Sequence, residues 1–301
     1  KKSHQHSGRI TQVLYCLVSE ESKVDKDFSV TGVLCKLHLS KSGYYNYLHR
    51  KPSKQSISKK NRMQAIQTIY DDNHQIYGAP KIAKEMQKKG EKISERTVGV
   101  YMREMGIKAC YIKPYVKTTF DSDFSTKLHN ILKRDFSPSK PNEAWCTDIT
   151  YIFTLEGFVY LTSVMDLYSR KIIAWTLSRT LEVEEVLKCI EIARKRRKTA
   201  NPVIIHSDRG VHYTSKLYKK LTAGLILSYS KKGTPWDNAC IESFHSVIKR
   251  EWLNRTLIYD YDHAYDLCFE YIETFYNTIR IHSHCGYESP NQYENNYYSK
   301  H

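Results

Sequence analysis

The sequence predicts an all-α amino-terminal region joined to an α/β domain, and three observations carry that expectation. Residues 145–178 hold three runs rich in β-branched and aromatic residues, separated by short turns. From residue 182 onward, stretches with helical apolar spacing alternate with short strand-like runs. Residues 29–105 contain two pairs of short helical patterns, each with a Ser placed to cap its second helix.

The first pair runs from Val30 to Leu37 and, after a His38-Leu39-Ser40 turn, from Lys41 to His49, with Ser40 as the N-cap. The second runs from Pro80 to Lys89, stops at Gly90, and resumes from Glu95 to Met105 behind a Ser94 cap, ending before Gly106. Such hairpins are common packing units, and they are also the frame of helix-turn-helix DNA readers. In that role the second helix enters the major groove, which would bring Lys41, Ser42 and Tyr45 of one pair and Arg96, Thr97 and Tyr101 of the other to base edges or phosphates. Between Lys113 and Pro141 the pattern is irregular and Pro-punctuated, a linker with one short helix expected around Ser125 to Lys133.

In the α/β part, Trp145 to Thr154 and Gly157 to Leu167 flank a Leu155-Glu156-Gly157 turn, and Lys171 to Ser178 supplies a third hairpin-linked strand. Glu182 to Arg197 places Val183, Val186, Leu187, Ile190 and Ala193 on one helical stripe, which reads as core. A strand at Pro202–Ser207, a helix near Ser215 to Ala223 and a short strand at Leu225–Ser228 come next. Pro235, Asp237 and Asn238 then mark the start of a helix that contains Glu242. Antiparallel hairpins leading into strand-helix-strand alternation suit a layered α/β domain. The carboxyl-terminal tyrosines Tyr259, Tyr261, Tyr265, Tyr271 and Tyr276 fall mainly on one long amphipathic helix expected to pack on that domain.

At 301 residues and 41% hydrophobic content the chain has material for about two or three compact units. The expected divisions are 1–60, a helical or helix-turn-helix region; 61–111, a second helix-turn-helix; 112–141, a basic linker; 142–255, the α/β core; and 256–301, a helical extension. No run approaches the 18 or more apolar residues of a spanning helix. The eight cysteines are dispersed without a C-x-x-C pair, as expected of reduced thiols in a cytosolic protein. The first residue is Lys1, so the true start is open. Residues 1–140 hold 27 Lys and Arg against 13 Asp and Glu, whereas residues 141–301 hold 20 against 19. A basic half of this kind suits a polyanion, with nucleic acid foremost, because Lys and Arg neutralise phosphates whatever the base sequence.

Three carboxylates stand in distinctive surroundings: Asp148 inside a strand, Asp208 directly after the apolar run Val203-Ile204-Ile205, and Glu242 one turn inside its helix. Carboxylates that converge repel one another, and a hard divalent cation with oxygen ligands keeps all three ionised. Mg²⁺ is the natural candidate, with Mn²⁺ as a substitute. Two such ions about 4 Å apart are the usual device for breaking or joining a phosphodiester bond.

The phrases Trp145-Cys146-Thr147-Asp148-Ile149-Thr150-Tyr151, Val164-Met165-Asp166-Leu167-Tyr168-Ser169-Arg170, His206-Ser207-Asp208-Arg209-Gly210, Tyr213-Thr214-Ser215 and Trp236-Asp237-Asn238-Ala239 through Glu242-Ser243-Phe244 resemble the integrase-type core of bacterial insertion-sequence transposases. The likeness is to the OrfB transposase of the insertion-sequence-three family, relatives of retroviral integrases. Tyr77-Gly78-Ala79-Pro80-Lys81-Ile82 resembles that family's second helix-turn-helix. Tyr276-Asn277-Thr278-Ile279-Arg280-Ile281-His282, with Gly286 and Ser289-Pro290, resembles its C-terminal signature.

The resemblance implies a ribonuclease-H-like catalytic core behind helix-turn-helix domains, and a DNA transposase that binds the terminal inverted repeats of its element and performs Mg²⁺-dependent cleavage and strand transfer. It implies that Asp148 bridges two metal ions while Asp208 and Glu242 each complete one coordination sphere. Lys249 matches a lysine that contacts the DNA end in related integrases, and Lys231, Lys232 and Arg250 are expected to add backbone contacts. Asp166, His206 and His245 are read as structural. Double-stranded DNA, further copies of the chain and an upstream reading-frame product are the implied partners, in a bacterial cytoplasm near the nucleoid. The alternatives are a nuclease of the same fold and a catalytically inactive DNA-binding relic or regulator.

One departure bears on activity. Asp208 and Glu242 are separated by 33 residues, two fewer than the family's usual spacing, and the missing pair falls between Ser215 and Gly224. A two-residue deletion inside a helix rotates every later residue by about 200°, so the helix is expected to be trimmed at its end or the next loop to absorb the change.

Overall fold

The computed structural model describes residues 2–25, 27–110, 128–199, 202–231 and 233–300. Lys232 and residues 111–127, which include most of the expected linker, lie outside the described residues. The chain divides into two compact units, Lys1–Gln64 and Ala65–His301.

In the first unit, α1 (Lys2–Val24), α2 (Val30–Lys36) and α3 (Lys41–Leu48) gather Tyr15, Val18, Leu34 and Tyr44 into a small core. Ser29 and Ser40 cap α2 and α3 by accepting from the Gly32 and Gly43 amides. Gly43 is required for packing as well: a Cβ there would lie 2.5 Å from the Tyr15 hydroxyl, which donates to the Ser40 carbonyl at 3.1 Å. With Tyr44 turned inward, α3 leaves Lys41, Ser42 and Tyr45 exposed. The helix α4 spans Lys54–Asp72.

In the second unit, α5 (Ala79–Lys88) starts on Pro80, and α6 (Glu95–Glu104) is capped by Ser94, which accepts from the Thr97 amide. Gly90 and Gly106 end the two helices at φ +87° and +71°, a backbone conformation that glycine adopts without a side-chain clash.

The five-stranded sheet has the order β3-β2-β1-β4-β5, with β1 Ala144–Thr154, β2 Gly157–Asp166, β3 Ile172–Ser178, β4 Ile204–Ser207 and β5 Ile226–Tyr229. The first three strands are antiparallel, and β1–β4 and β4–β5 pair in parallel. One face, carrying Trp145, Val164, Ile173 and Ile205, packs on α7 (Val183–Arg197). The opposite face, carrying Cys146, Ile152, Leu161 and Met165, shares a core with α5, α6, α10 (Ala239–Glu251) and α11 (Tyr261–Phe269). The short helices α8 (Val211–Thr214) and α9 (Lys216–Leu221) join β4 to β5, and α12 (Pro290–Tyr298) closes the chain.

The segment between Asp208 and Glu242 keeps a regular path into the sheet. The helix α9 stops at Leu221, Gly224 turns the chain at φ +92°, and β5 enters the sheet with Ile204 opposite Ile226 and Ser207 opposite Tyr229.

Two expectations differ from the fold. Residues 128–133 of the expected short helix are not helical, because Ser228 Oγ takes the Ile131 and Leu132 amides, each at 3.0 Å, and Asn130 Oδ1 takes that of Lys133 at 2.8 Å. Residues 125–127 of that expectation lie outside the described residues. The long carboxyl-terminal helix is α-wound only to Phe269 and continues as a π-helix over Glu270–Tyr276. Its wider winding turns Tyr271, Ile272, Phe275 and Tyr276 all inward.

Candidate active site

Parallel pairing of β1 with β4 places Cys146 opposite His206. Two residues further along each chain come Asp148 and Asp208, so the two carboxylates leave adjacent strands at the same level. A 3₁₀ turn at Pro235–Asn238 then delivers α10, with Glu242 in its first turn.

The segment around Asp208 is tightly fixed. Arg209 donates from Nε to the Ser230 carbonyl at 2.8 Å and from Nη2 to the Leu128 carbonyl at 3.2 Å. The Gly210 amide donates to Asp208 Oδ1 at 2.9 Å, and a Cβ at Gly210 would lie 3.0 Å from that same oxygen. The loop before α10 is held by Asp237, which accepts from Arg134 Nε (2.6 Å), the Lys231 amide (2.8 Å), Asn130 Nδ2 (2.9 Å) and Thr234 Oγ1 (3.2 Å). Asn238 donates to the Thr147 carbonyl at 3.3 Å, tying the start of α10 to the residue before Asp148, while its buried Oδ1 has no hydrogen-bond partner among the described residues.

Electrostatics tie the three acids together. Loss of surrounding water, then repulsion from Asp148, raises Asp208 to about 6, against the pull of the Gly210 amide. Glu242 is raised to about 7 by loss of water, then by Asp148 and Asp208. Both residues are exposed, and in both the neighbouring charges add to the loss of water.

Two further residues of α10 face Asp148. His245 is buried, with Nδ1 3.4 Å from Asp148 Oδ2 and Nε2 3.3 Å from Ser163 Oγ. Lys249 sets its ammonium 4.2 Å from the centre of the Tyr151 ring, and burial lowers its pKa against the opposing pull of Asp148. The spacing of His245 and Lys249 puts them on the Glu242 face of the helix. The pairing of Asp148 with Ser163 across β1 and β2 is a tertiary relation with no local signature, so the contact of His245 with this couple was not legible in the sequence.

His206 is fully buried between Ser228 Oγ at 2.8 Å and Ser230 Oγ at 3.1 Å, and burial lowers it to about 4. Asp166 is fully buried, accepting from the Asn142 and Tyr168 amides with Arg197 at 3.8 Å. Both serve the fold, as expected.

Among the other expected DNA contacts, Lys41, Ser42, Tyr45, Arg96 and Lys231 are exposed. The Thr97 hydroxyl is shared with Ser94 at 2.9 Å, and Tyr101 packs half-buried against the core. Arg250 is half-buried, with Nη2 3.7 Å from Glu251 Oε1 and with Nε and Nη1 buried without a hydrogen-bond partner among the described residues.

Among the described residues no three His, Cys, Asp or Glu side chains stand close enough together to enclose an ion as placed. By donor chemistry Asp148, Asp208 and Glu242 nonetheless fit a hard dication. They offer oxygen ligands, and two of them are raised by loss of water and then by mutual repulsion, the second of which a bound cation would offset.

The family described as Integrase core domain matches residues 138–235, a second integrase core description matches residues 223–290, and an HTH-like domain matches residues 58–115. The transposase for insertion sequence element IS904 of Lactococcus lactis is 34% identical over 249 residues, covering 82% of this chain and 98% of that relative. The chain belongs to the insertion-sequence-three family of transposases. Transposase InsF for insertion sequence IS3A of Escherichia coli is 32% identical over 277 residues, covering 91% of this chain and 96% of the relative. Among solved structures, the magnesium-bound HTLV-2 integrase catalytic core is 17% identical, covers 52% of this chain and 98% of its own, and superposes with a TM-score of 0.40. The family's integrase core is of the ribonuclease-H-like class that the resemblance implied, and its HTH-like domain falls on α4 to α6.

Proposed function

We propose that this chain is a DNA transposase that cuts the ends of its mobile element and joins them to a second DNA, with Asp148, Asp208 and Glu242 holding its metal ions. When bound, two Mg²⁺ ions, or Mn²⁺ in their place, supply activation of the attacking oxygen and neutralisation of charge on the leaving one. Cleavage forms a bond from a water oxygen to phosphorus and breaks the bond to the 3′ oxygen, which leaves as a hydroxyl. In joining, that hydroxyl forms a bond to a target phosphorus while the target's own 3′ oxygen departs. The number of phosphodiester bonds is unchanged in joining, so no nucleotide cofactor is needed.

Around this chemistry the chain's own groups bind and orient. The Gly210 amide and Arg209 hold the Asp208 segment, Asn238 ties Thr147 to the start of α10, and Lys249 offers a cation beside the carboxylates for a DNA phosphate. Lys231, Lys232 and Arg250 are assigned to the backbone nearby. Lys41, Ser42 and Tyr45 on α3, and Arg96, Thr97 and Tyr101 on α6, are assigned to reading duplex DNA at the terminal repeats. The protein acts as an oligomer on paired ends, fused to or assisted by an upstream reading-frame product, in the cytoplasm at the nucleoid. Among the described residues no helix is long and apolar enough to cross a membrane.

The observation that carries this reading is the parallel pairing of β1 with β4, which brings Asp148 and Asp208 to one level with Glu242 in the first turn of α10, in a chain of this family. Labelled element ends incubated with Mg²⁺ test it. Wild type is expected to cleave and join, and Asp208→Asn to bind DNA without reacting. Cleavage without joining would make the chain a nuclease, and binding without any metal-dependent reaction would make it an inactive DNA-binding protein.

A further inference from the structure

We infer that His245 is a positioning residue that holds the Asp148 carboxylate in place and thereby sets how tightly the site takes a divalent cation. This rests on the proposed metal-binding role of Asp148.

The geometry is that of a brace between two elements. Asp148 and Ser163 face each other across β1 and β2. His245 reaches both from α10, Nδ1 lying 3.4 Å from the carboxylate and Nε2 3.3 Å from the hydroxyl. Ser163 is fully buried and His245 only 5% exposed. An ionised carboxylate offers only acceptors, so the nitrogen facing it carries the ring hydrogen, and Nε2 then accepts from the Ser163 hydroxyl. One imidazole therefore fixes the rotation of Asp148 against its strand partner. Because it stands three residues after Glu242 on the same helix face, it also fixes the helix bearing one carboxylate against the strand bearing another. Lys249 stands off over Tyr151 and leaves this task to the histidine. Groups that hold a metal-binding carboxylate by such contacts change metal affinity or activity by about 10- to 100-fold when removed.

Asparagine and glutamine separate the two ends of the ring. His245→Asn keeps a donor at the reach of Nδ1 and loses the tie to Ser163, whereas His245→Gln places its amide at the reach of Nε2 and leaves Asp148 without a donor. Three quantities are measured on the full chain: the Mg²⁺ dissociation constant by calorimetry without DNA, the Mg²⁺ concentration for half-maximal strand joining, and duplex affinity in EDTA. His245→Ala and His245→Gln are expected to weaken Mg²⁺ binding about 10- to 100-fold, with His245→Asn recovering most of the loss and duplex affinity unchanged in all three. Equal Mg²⁺ constants in wild type and all variants would overturn the inference. So would a fall in duplex affinity with the Mg²⁺ constant unchanged, which would make His245 a phosphate contact.

If His245→Ala fails to fold, Ser163→Ala, which deletes one hydroxyl, must weaken Mg²⁺ binding in the same direction or the inference falls. Asp208→Asn is run in parallel. If it joins strands as well as wild type, the carboxylate reading itself is wrong and the inference falls with it.

Discussion

Arg280 and Glu251 form a buried two-pronged ion pair, Nε to Oε2 and Nη2 to Oε1 each at 2.7 Å. Tyr271 donates to the same carboxylate at 2.7 Å, and the next amide, that of Ile281, donates to the Tyr77 hydroxyl at 3.0 Å. The Tyr77–Ile82 phrase and the Tyr276–His282 phrase, about 200 residues apart, thus meet around the last residue of α10. Asn277 adds a two-way hydrogen bond to the Ile172 backbone in β3, 3.0 Å in each direction. Arg280 is thus spent on the fold, its guanidinium held by Glu251 from both sides.

Removing one partner of such a pair leaves the other charged and buried. Arg280→Met is therefore expected to destabilise the protein by about 3–5 kcal/mol, read by urea or thermal unfolding, whereas the same change at exposed Arg96 is expected to fall within about 0.5 kcal/mol. A loss below about 1 kcal/mol for Arg280→Met would show that the pair is replaceable.

The raised carboxyls give a pH dependence whose sign is fixed by linkage. Asp208 moves from 3.8 to about 6 and Glu242 from 4.5 to about 7, so in the metal-free protein the folded state binds protons more tightly than the unfolded state. Their contribution to stability is full below the unfolded values and is lost as pH rises through about 6 to 7. Mg²⁺ reverses that loss by favouring the ionised forms. The gain in melting temperature on adding Mg²⁺ is expected to be larger at about pH 8 than at about pH 5, and Asp208→Asn to melt higher than wild type at about pH 8 without metal. A Mg²⁺ gain independent of pH would contradict the coupling of these carboxyls to the ion.

Lys249 is set to act on phosphate through charge. Lys249→Ala is expected to weaken duplex binding about equally for all sequences and to lower the salt slope of binding by about one, with melting temperature little changed. An unchanged slope with reduced stability would assign Lys249 to packing on Tyr151.

How far the sequence discloses this architecture depends on how local each determinant is. Ser40 and Ser94 cap where expected because an N-cap is written within four residues. The strands around Asp148 and Asp208 are legible because each has its own apolar pattern. The expected helix at 128–133 gives way to a serine from β5, about 96 residues away in the chain. The π-wound segment 270–276 obeys the demands of a core contact, which helical periodicity does not encode. Glu251 reads as an ordinary helix-terminal acid until Arg280 folds back on it, and His245 reads as a core histidine until strand register brings Ser163 opposite Asp148.

Asp237 shows how the loop before α10 is coupled to the site. Burial pushes its pKa up, but hydrogen bonds from the Lys231 amide, Arg134 and Thr234 outweigh burial and hold it below its usual value. Its contribution is present above the unfolded pKa and is lost as pH falls through the folded one. Asp237→Ala leaves the Lys231 amide and the Asn130 side chain without their acceptor and frees the turn that seats Asn238 against Thr147. Because the loop sits between the carboxylates and not on α3 or α6, strand joining is expected to fall at least about tenfold, the factor equivalent to about 1.4 kcal/mol, while affinity for the terminal repeats stays at wild-type level. A parallel loss of repeat binding would mean that the turn also forms part of the DNA-reading surface.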